Sequence, residues 1–464
     1  MTLRYGLFVL GRINFDVDYA RALAGSALAC LDNAGVELAG ARDMLFDNDA
    51  VDVQIESVAA LEPDGVVVIQ ATFTDAEAIA RISDRFANRV HMWAFPEPRN
   101  GGRLRLNAFC GLNLASHALG LRGRGLVDLY LDPRTGDCQE RVREWLERGD
   151  AAPPALRSAR QGDEAGGALG LAAITGAKIG RIGAHPGGFD TCAYDDARLE
   201  ALADVHVDRL PLDALFDRAR STNAAAIAAM RGKVAALEGI GDVDQEQLDR
   251  SMRLGVALEE IQRDGQYSAF SIRCWPETFT EYGAAVCGPV ALMGEARVPC
   301  ACESDVYGAV TSLMLQGIGK QSAFLADIVD MDNETNTGVV WHCGQAPRSM
   351  ADPACPPAAT IHSNRRMPLL MQFALKPGRV TFARISQARG SAMMTLATGE
   401  MIAAPPSFSG TSGVVRFDAP VSIVRDRMLN AGIEHHMALI YGDHAGAVDN
   451  VASRLGLPVL DLTG

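Results

Sequence analysis

The residues with chemistry to offer crowd into residues 271–347. Carboxylates concentrate there, among them Glu277, Glu281, Glu295, Glu303, Asp305, Asp327, Asp330 and Asp332. Several follow apolar runs, where a charged group is costly to bury. Glu303 comes directly after the small apolar turn 300–302, and Asp327 ends the apolar run 323–326. Acids at the ends of buried strands in α/β proteins stand where ligands bind. Each also has a plain structural reading. Glu303, just inside a helix start, serves the helix dipole, and Asp327, after a strand, caps the next turn. His342 suits a hydrogen-bonded core position as well as a site. Adjacent histidines usually point to different places, and the apolar strand 437–440 beyond His435–His436 turns one of them inward.

The elements that must position these groups follow from periodicity. The first third alternates strands at 3–10, 65–70, 89–95 and 127–131 with helices at 16–33, 75–86 and 139–148. That order predicts a parallel sheet with helices on both faces. Its ligand-facing loops are those after Leu10, Gln70 and Phe95. Residues 149–167, rich in Pro, Gly, Ala and charge, read as a linker. A second α/β unit follows, with a strand at 178–184, helices at 211–237 and 243–263, and a strand at 268–274. A helix at 303–315 and strands at 323–328 and 339–342 complete it. Three prolines in 352–358 mark another boundary. Beyond it, short apolar runs separated by turns predict antiparallel β structure to about Phe417, then a last strand, helix and strand. The fold class is therefore α/β: two doubly wound α/β domains followed by a β-rich C-terminal domain. The divisions fall at 1–160, 161–352 (with Glu303 and Asp327) and 353–464 (with His436).

Composition narrows the function. The 464 residues are 48% hydrophobic and carry a net charge of 43 − 57 = −14. That acidity argues against a nucleic-acid binder. No run of about 18 apolar residues predicts a membrane span, and the start of the chain lacks the pattern of a signal peptide. All ten cysteines read as reduced thiols of a cytoplasmic protein. The G-x-G-x-x-G and G-x-S-x-G motifs are absent, and the GIGKQS stretch at 317–322 lacks the first glycine of a phosphate loop.

The stretch from Glu303 to Asp327 resembles the L-fucose isomerase and L-arabinose isomerase superfamily of metal-dependent aldose–ketose isomerases. As in that family, the two acids are 24 positions apart, with Gly308 in the helix between them and Phe324-Leu325-Ala326-Asp327 at the end. A second match lies near the C terminus, where His436 is followed after four residues by Tyr441-Gly442-Asp443. The resemblance implies that Glu303, Asp327 and His436 ligate a metal and that the two acids serve in proton transfer. It leaves His435 open as an alternative to His436, and His342 as a fourth ligand or a substrate contact. It also implies a closed homo-oligomer, with a hexamer among the family's forms.

Two carboxylates and an imidazole suit Mn²⁺ first, with Mg²⁺ or Co²⁺ as alternatives. The implied reaction moves a proton between C1 and C2 of a monosaccharide through a cis-enediol. Around it, Trp275 and Trp341 offer faces for sugar C–H surfaces. Arg12 offers a cation for a hydroxyl or an anionic substituent, and Glu277 an assisting acid. Trp93 and His185 lie near similar strand ends. Three other readings compete: a same-fold isomerase for a sulfonated or deoxy sugar such as sulfoquinovose, a non-catalytic sugar-binding protein, and a metal-dependent hydrolase or aldolase.

Overall fold

A computed structural model describes residues 3–86 and 89–464. Among these residues the chain forms three sheets. The first is parallel throughout, in the order Glu37–Ala39, Arg4–Leu10, Gly65–Gln70, Val90–Ala94 and Val127–Tyr130, with Met44–Leu45 beside the end of Arg4–Leu10. Gly65–Gln70 is buried along its whole length, as a central strand covered on both faces must be. The second sheet is also parallel, in the order Cys300–Cys302, Ala269–Ile272, Lys178–Ile182 and His206–Leu210.

The third sheet is mainly antiparallel and closes on itself. Thr411–Phe417, Thr337–His342, Phe324–Asp332, His436–Tyr441, Gly378–Ser386 and Met393–Ile402 pair in sequence, and the last pairs back with the first. The result is a six-stranded barrel. It draws strands from both sides of residue 352, so Asp327 and His342 stand on the barrel rather than on the second parallel sheet. The mixed α/β architecture and the β-rich C-terminal region agree with the expected fold class.

Several local expectations need correction. The helix expected from Glu303 spans Val306–Gly319, and Asp305 is its N-cap, accepting a hydrogen bond from Gly308 N–H at 2.8 Å. Glu303 and Ser304 precede it with φ of 61° and 60°. The continuous helix expected over 211–237 is two, Leu212–Arg220 and Ala224–Val234, because Asn223 caps the second by accepting from Ala226 N–H. The stretch read as a linker contains the start of helix Glu164–Ile174. Its glycines are packing residues: a Cβ on Gly170 would meet Ile318 of helix Val306–Gly319 at 2.6 Å. Helix Val421–Ala431 was not expected. Cys30 and Cys138 are joined in a disulfide, against the reading of ten reduced thiols, and the other eight cysteines, all described, are free.

Candidate metal and sugar site

The cleft lies where the second parallel sheet meets the barrel. Glu303 follows Cys300–Cys302, at the carboxyl end of a parallel strand. Two successive left-handed residues turn the chain there, a conformation that costs of order 1–3 kcal/mol per residue. The turn is stapled in place. Ser304 N–H donates to Ile272 O at 3.0 Å, and its hydroxyl donates to Gly183 O at 3.0 Å. Asp327 and His436 come from neighbouring antiparallel strands and are direct partners in register. Direct partners project from the same face of a sheet, so the Asp327 and His436 side chains lie side by side, and His436 in turn approaches Glu303.

All three expected loops of the first domain also reach this cleft. The loop after Arg4–Leu10 supplies Arg12, the loop after Gly65–Gln70 supplies Phe73, and the segment after Val90–Ala94 supplies Leu104 and Asn107. Trp275, Trp341, His342 and His435 line it too. Glu277 and Trp93 do not. Glu277 is ion-paired with Arg273 at 2.6 Å. Trp93 is fully buried in the first sheet's core, its indole N–H donating to Leu131 O at 2.9 Å. An apolar strand end made both look available; register and a neighbouring arginine decided otherwise. His185 is occupied in its own loop, its Nδ1 3.0 Å from Pro186 O.

His435 and His436 both turn inward, contrary to expectation, with ring centroids 3.9 Å apart. His435 lies in a bend just before strand His436–Tyr441, so strand alternation does not separate them. Their partners differ. His436 Nδ1 is 2.9 Å from Asp305 Oδ2. A carboxylate only accepts, so the ring proton sits on Nδ1 and the Nε2 lone pair faces Asp327 and Glu303. That Nε2 is 3.4 Å from Asp327 Oδ1 and 3.8 Å from Glu303 Oε2. His435 instead places Nε2 3.0 Å from Glu303 Oε2, while Trp275 Nε1–H donates to Glu303 Oε1 at 3.0 Å. His435 and Trp275 thus hold Glu303 from both oxygens.

His342 is different again. Its Nδ1 accepts from Cys343 N–H at 2.9 Å, with the Gln345 amide nitrogen at 3.2 Å. Burial opposes charging this ring, but Cys343 and the acids Asp327 and Glu303 outweigh it and raise its pKa. With Nδ1 accepting, the neutral ring carries its proton on Nε2, a buried nitrogen with no hydrogen-bond partner among the described residues.

A buried ion network, not anticipated from sequence, stands behind His436. Asp305 pairs with Arg384 at 2.6 Å, and Arg384 Nε is 3.3 Å from Glu434. All three side chains are at most 3% exposed. Burial alone would raise the Asp305 pKa, but Arg384 and His436 hold it far below the usual carboxylate range. Asp305 therefore stays an acceptor and fixes the His436 tautomer. Glu303 is likewise held ionised: His435, His436 and Trp275 outweigh burial and lower its pKa. Burial and then His435 lower that of His436, which keeps the ring neutral.

The donor set fits a hard divalent cation. Asp327 Oδ1 and His436 Nε2 are buried and have no hydrogen-bond partner among the described residues. Ligands sharing an ion at ~2.1 Å lie roughly 3–4 Å apart, which matches the separations of 3.4 and 3.8 Å. Asp327, His342 and His436 converge within 4.8 Å, as do Cys110, Asp327 and His435, and Cys192, Glu303 and His436. Burial and nearby acids push both thiols' pKa values well up, so each offers a protonated sulfur to a site that otherwise suits a hard ion.

The chain is similar to known proteins along most of its length. Residues 6–147 match the model of the fucose/sulfoquinovose isomerase N-terminal domain, and residues 370–463 that of the L-fucose isomerase C-terminal domain. A sulfoquinovose isomerase of Alkalicoccus urumqiensis is 28% identical over 425 residues, covering 90% of each chain. Sulfoquinovose isomerases of Priestia aryabhattai and Clostridium sp. (strain MSTE9) are 26% and 25% identical, each covering 94% of this chain and 93% of the relative. Two domain models at opposite ends and relatives aligned along nearly the whole length agree: the chain belongs to the fucose isomerase-like superfamily.

Proposed function

We propose that this chain is an isomerase that converts a sulfonated hexose from aldose to ketose, using a divalent cation held by Glu303, Asp327 and His436. The observation that carries the reading is that His436 Nε2, buried and without a hydrogen-bond partner among the described residues, stands between Asp327 Oδ1 at 3.4 Å and the ionised, doubly anchored Glu303 at 3.8 Å. The names of the relatives supply the sulfonated substrate. Mn²⁺ is the first choice of ion, ahead of Mg²⁺ and Co²⁺. The reading includes a homo-oligomer, of hexameric form as in the family, in the cytoplasm.

When bound, such a cation polarises the substrate carbonyl and acidifies the neighbouring C–H. The chain's own residues do the rest. One of the two carboxylates, Glu303 or Asp327, takes the proton from C2 and returns it to C1, while the other carries the hydroxyl proton between the two oxygens. The net change is one hydrogen moved from C2 to C1, one hydroxyl proton moved from O2 to O1, and the carbonyl shifted from C1 to C2 through a cis-enediol. His342 Nε2–H donates to a substrate oxygen. Trp275 and Trp341 cover the sugar's C–H faces and keep water from the enediol.

The test is to strip the protein with a chelator and restore Mn²⁺, Mg²⁺ or Co²⁺ singly. Ketose formation is then assayed on sulfoquinovose, D-glucose, L-fucose and D-arabinose. Metal-dependent turnover of sulfoquinovose, lost in Glu303→Gln and Asp327→Asn, is the expected result. Metal binding with no aldose turned over would contradict the reaction class.

A further inference from the structure

We propose that Arg365, with Arg12 beside it, reads the anionic end of the substrate and gives the cleft its selectivity for a charged sugar; this rests on the isomerase reading above. Arg365 lies in the loop between strands Ala358–Thr360 and Leu370–Ala374 and lines the cleft. Its Cζ is 5.9 Å from the Trp275 ring and 6.0 Å from Phe279. Arg12 approaches the same indole, with Cζ 5.6 Å from its centroid and 5.5 Å from Phe73. Trp275 thus joins the two ends of the cleft. Its N–H holds the catalytic acid Glu303 and its ring is flanked by two guanidiniums. A hexose whose C1–C2 end lies at Glu303 and Asp327 carries its C6 substituent along the indole to these cations.

The two arginines are not equivalent. Arg12 is ion-paired with Asp75. The Arg365 guanidinium makes no ion pair or hydrogen bond among the described residues, although it is half-buried and faces the cleft. Burial and the positive charge of Arg12 both lower its pKa, the mark of two cations sharing a place without enough anion. The loop is held rather than loose. His362 Nδ1 accepts from the backbone N–H groups of Asn364 and Arg365, at 3.2 and 3.3 Å. Arg103 Nε donates to Asn364 Oδ1 at 3.0 Å and also reaches Asn14 O, which ties this loop to the one carrying Arg12. A preorganised guanidinium loses little entropy on binding, and its planar fork suits the oxygens of a sulfonate.

The experiment compares kcat and KM of the metal-loaded enzyme on sulfoquinovose, D-glucose and D-glucose 6-phosphate. Wild type, Arg365→Gln and Arg365→Lys are measured, with metal content and thermal midpoint checked for each. The expected result is that Arg365→Gln lowers the sulfoquinovose-to-glucose ratio of kcat/KM by roughly 10- to 100-fold. The loss falls mainly in KM, and Arg365→Lys restores part of it. An unchanged ratio, or equal losses on both sugars, would overturn the assignment, the latter marking a purely structural role. Preference of the wild type for the 6-phosphate would overturn the sulfonate specificity. A wild type that isomerises none of these aldoses would instead remove the isomerase reading, which separates the two failures. Should Arg365→Gln not fold, Arg12→Gln and Arg365→Lys give the same ratio test, with smaller expected changes.

Discussion

At the floor of the cleft, buried partners leave particular lone pairs bare, whereas at its outer end two half-buried guanidiniums have one carboxylate, Asp75, for both. The floor is over-determined. Asp305, Arg384, Glu434, His435 and Trp275 each fix an atom of a proposed ligand or of its neighbour. The outer end is under-neutralised instead. The contrast teaches that unpaired polar atoms mean different things by depth. A buried bare acceptor pair asks for a cation, and a half-exposed cation beside another asks for an anion.

The sharpest way to break the comparison is to remove an acid from the floor. Glu303→Gln and Asp327→Asn should each lower kcat/KM by roughly 10³-fold or more, measured on the metal-loaded enzyme. Next comes the charge behind the floor. Arg384→Met leaves Asp305 and Glu434 buried without their counter-ion and should cost about 3–5 kcal/mol in urea unfolding at neutral pH. Both carboxyls titrate below their ordinary values of 3.8 and 4.5. Their contribution in the wild type is therefore full above those values and lost as pH falls through the lower, folded-state values. The stability gap between wild type and Arg384→Met should accordingly narrow only as pH falls below about 4, followed by unfolding midpoints of both proteins between about pH 5 and pH 2.

A smaller effect comes from the residue that orients His436. Asp305→Asn should weaken metal binding by about 10- to 100-fold, with activity recovering at high metal concentration. Smallest is Glu277→Gln, which removes only a partly exposed ion pair with Arg273. It should change stability by about 1 kcal/mol or less and leave metal affinity as in the wild type; a clear loss of affinity would draw Glu277 into the site after all.

How far the sequence carried can be read from these same residues. The spacing from Glu303 to Asp327 and the His436 motif are local strings, and antiparallel register then brings Asp327 and His436 side by side. The loops after Leu10, Gln70 and Phe95 were legible because strand ends in a parallel sheet have a fixed sense. The Asp305–Arg384–Glu434 network was not legible. Its members lie 79 and 50 positions apart in sequence and meet only where the start of helix Val306–Gly319 packs on the paired strands Gly378–Ser386 and His436–Tyr441. Asp305 did leave a signal, an Asp directly before an apolar helical run, but the helix start was placed on Glu303 instead. Glycines in residues 149–167 misled in the other direction, since Gly166 and Gly167 serve close packing rather than flexibility. Arg365 was hidden by the abundance of arginine in the chain; only its lack of a partner singles it out.

The central claim, that the floor of the cleft holds one divalent cation, is tested most directly by titrating the stripped protein with Mn²⁺ and following free Mn²⁺ by electron paramagnetic resonance. The wild type should bind one equivalent per chain, and His436→Gln and Asp327→Asn should each bind at least roughly 100-fold more weakly. Equal stoichiometry and affinity in all three proteins, or no binding in the wild type, would contradict it.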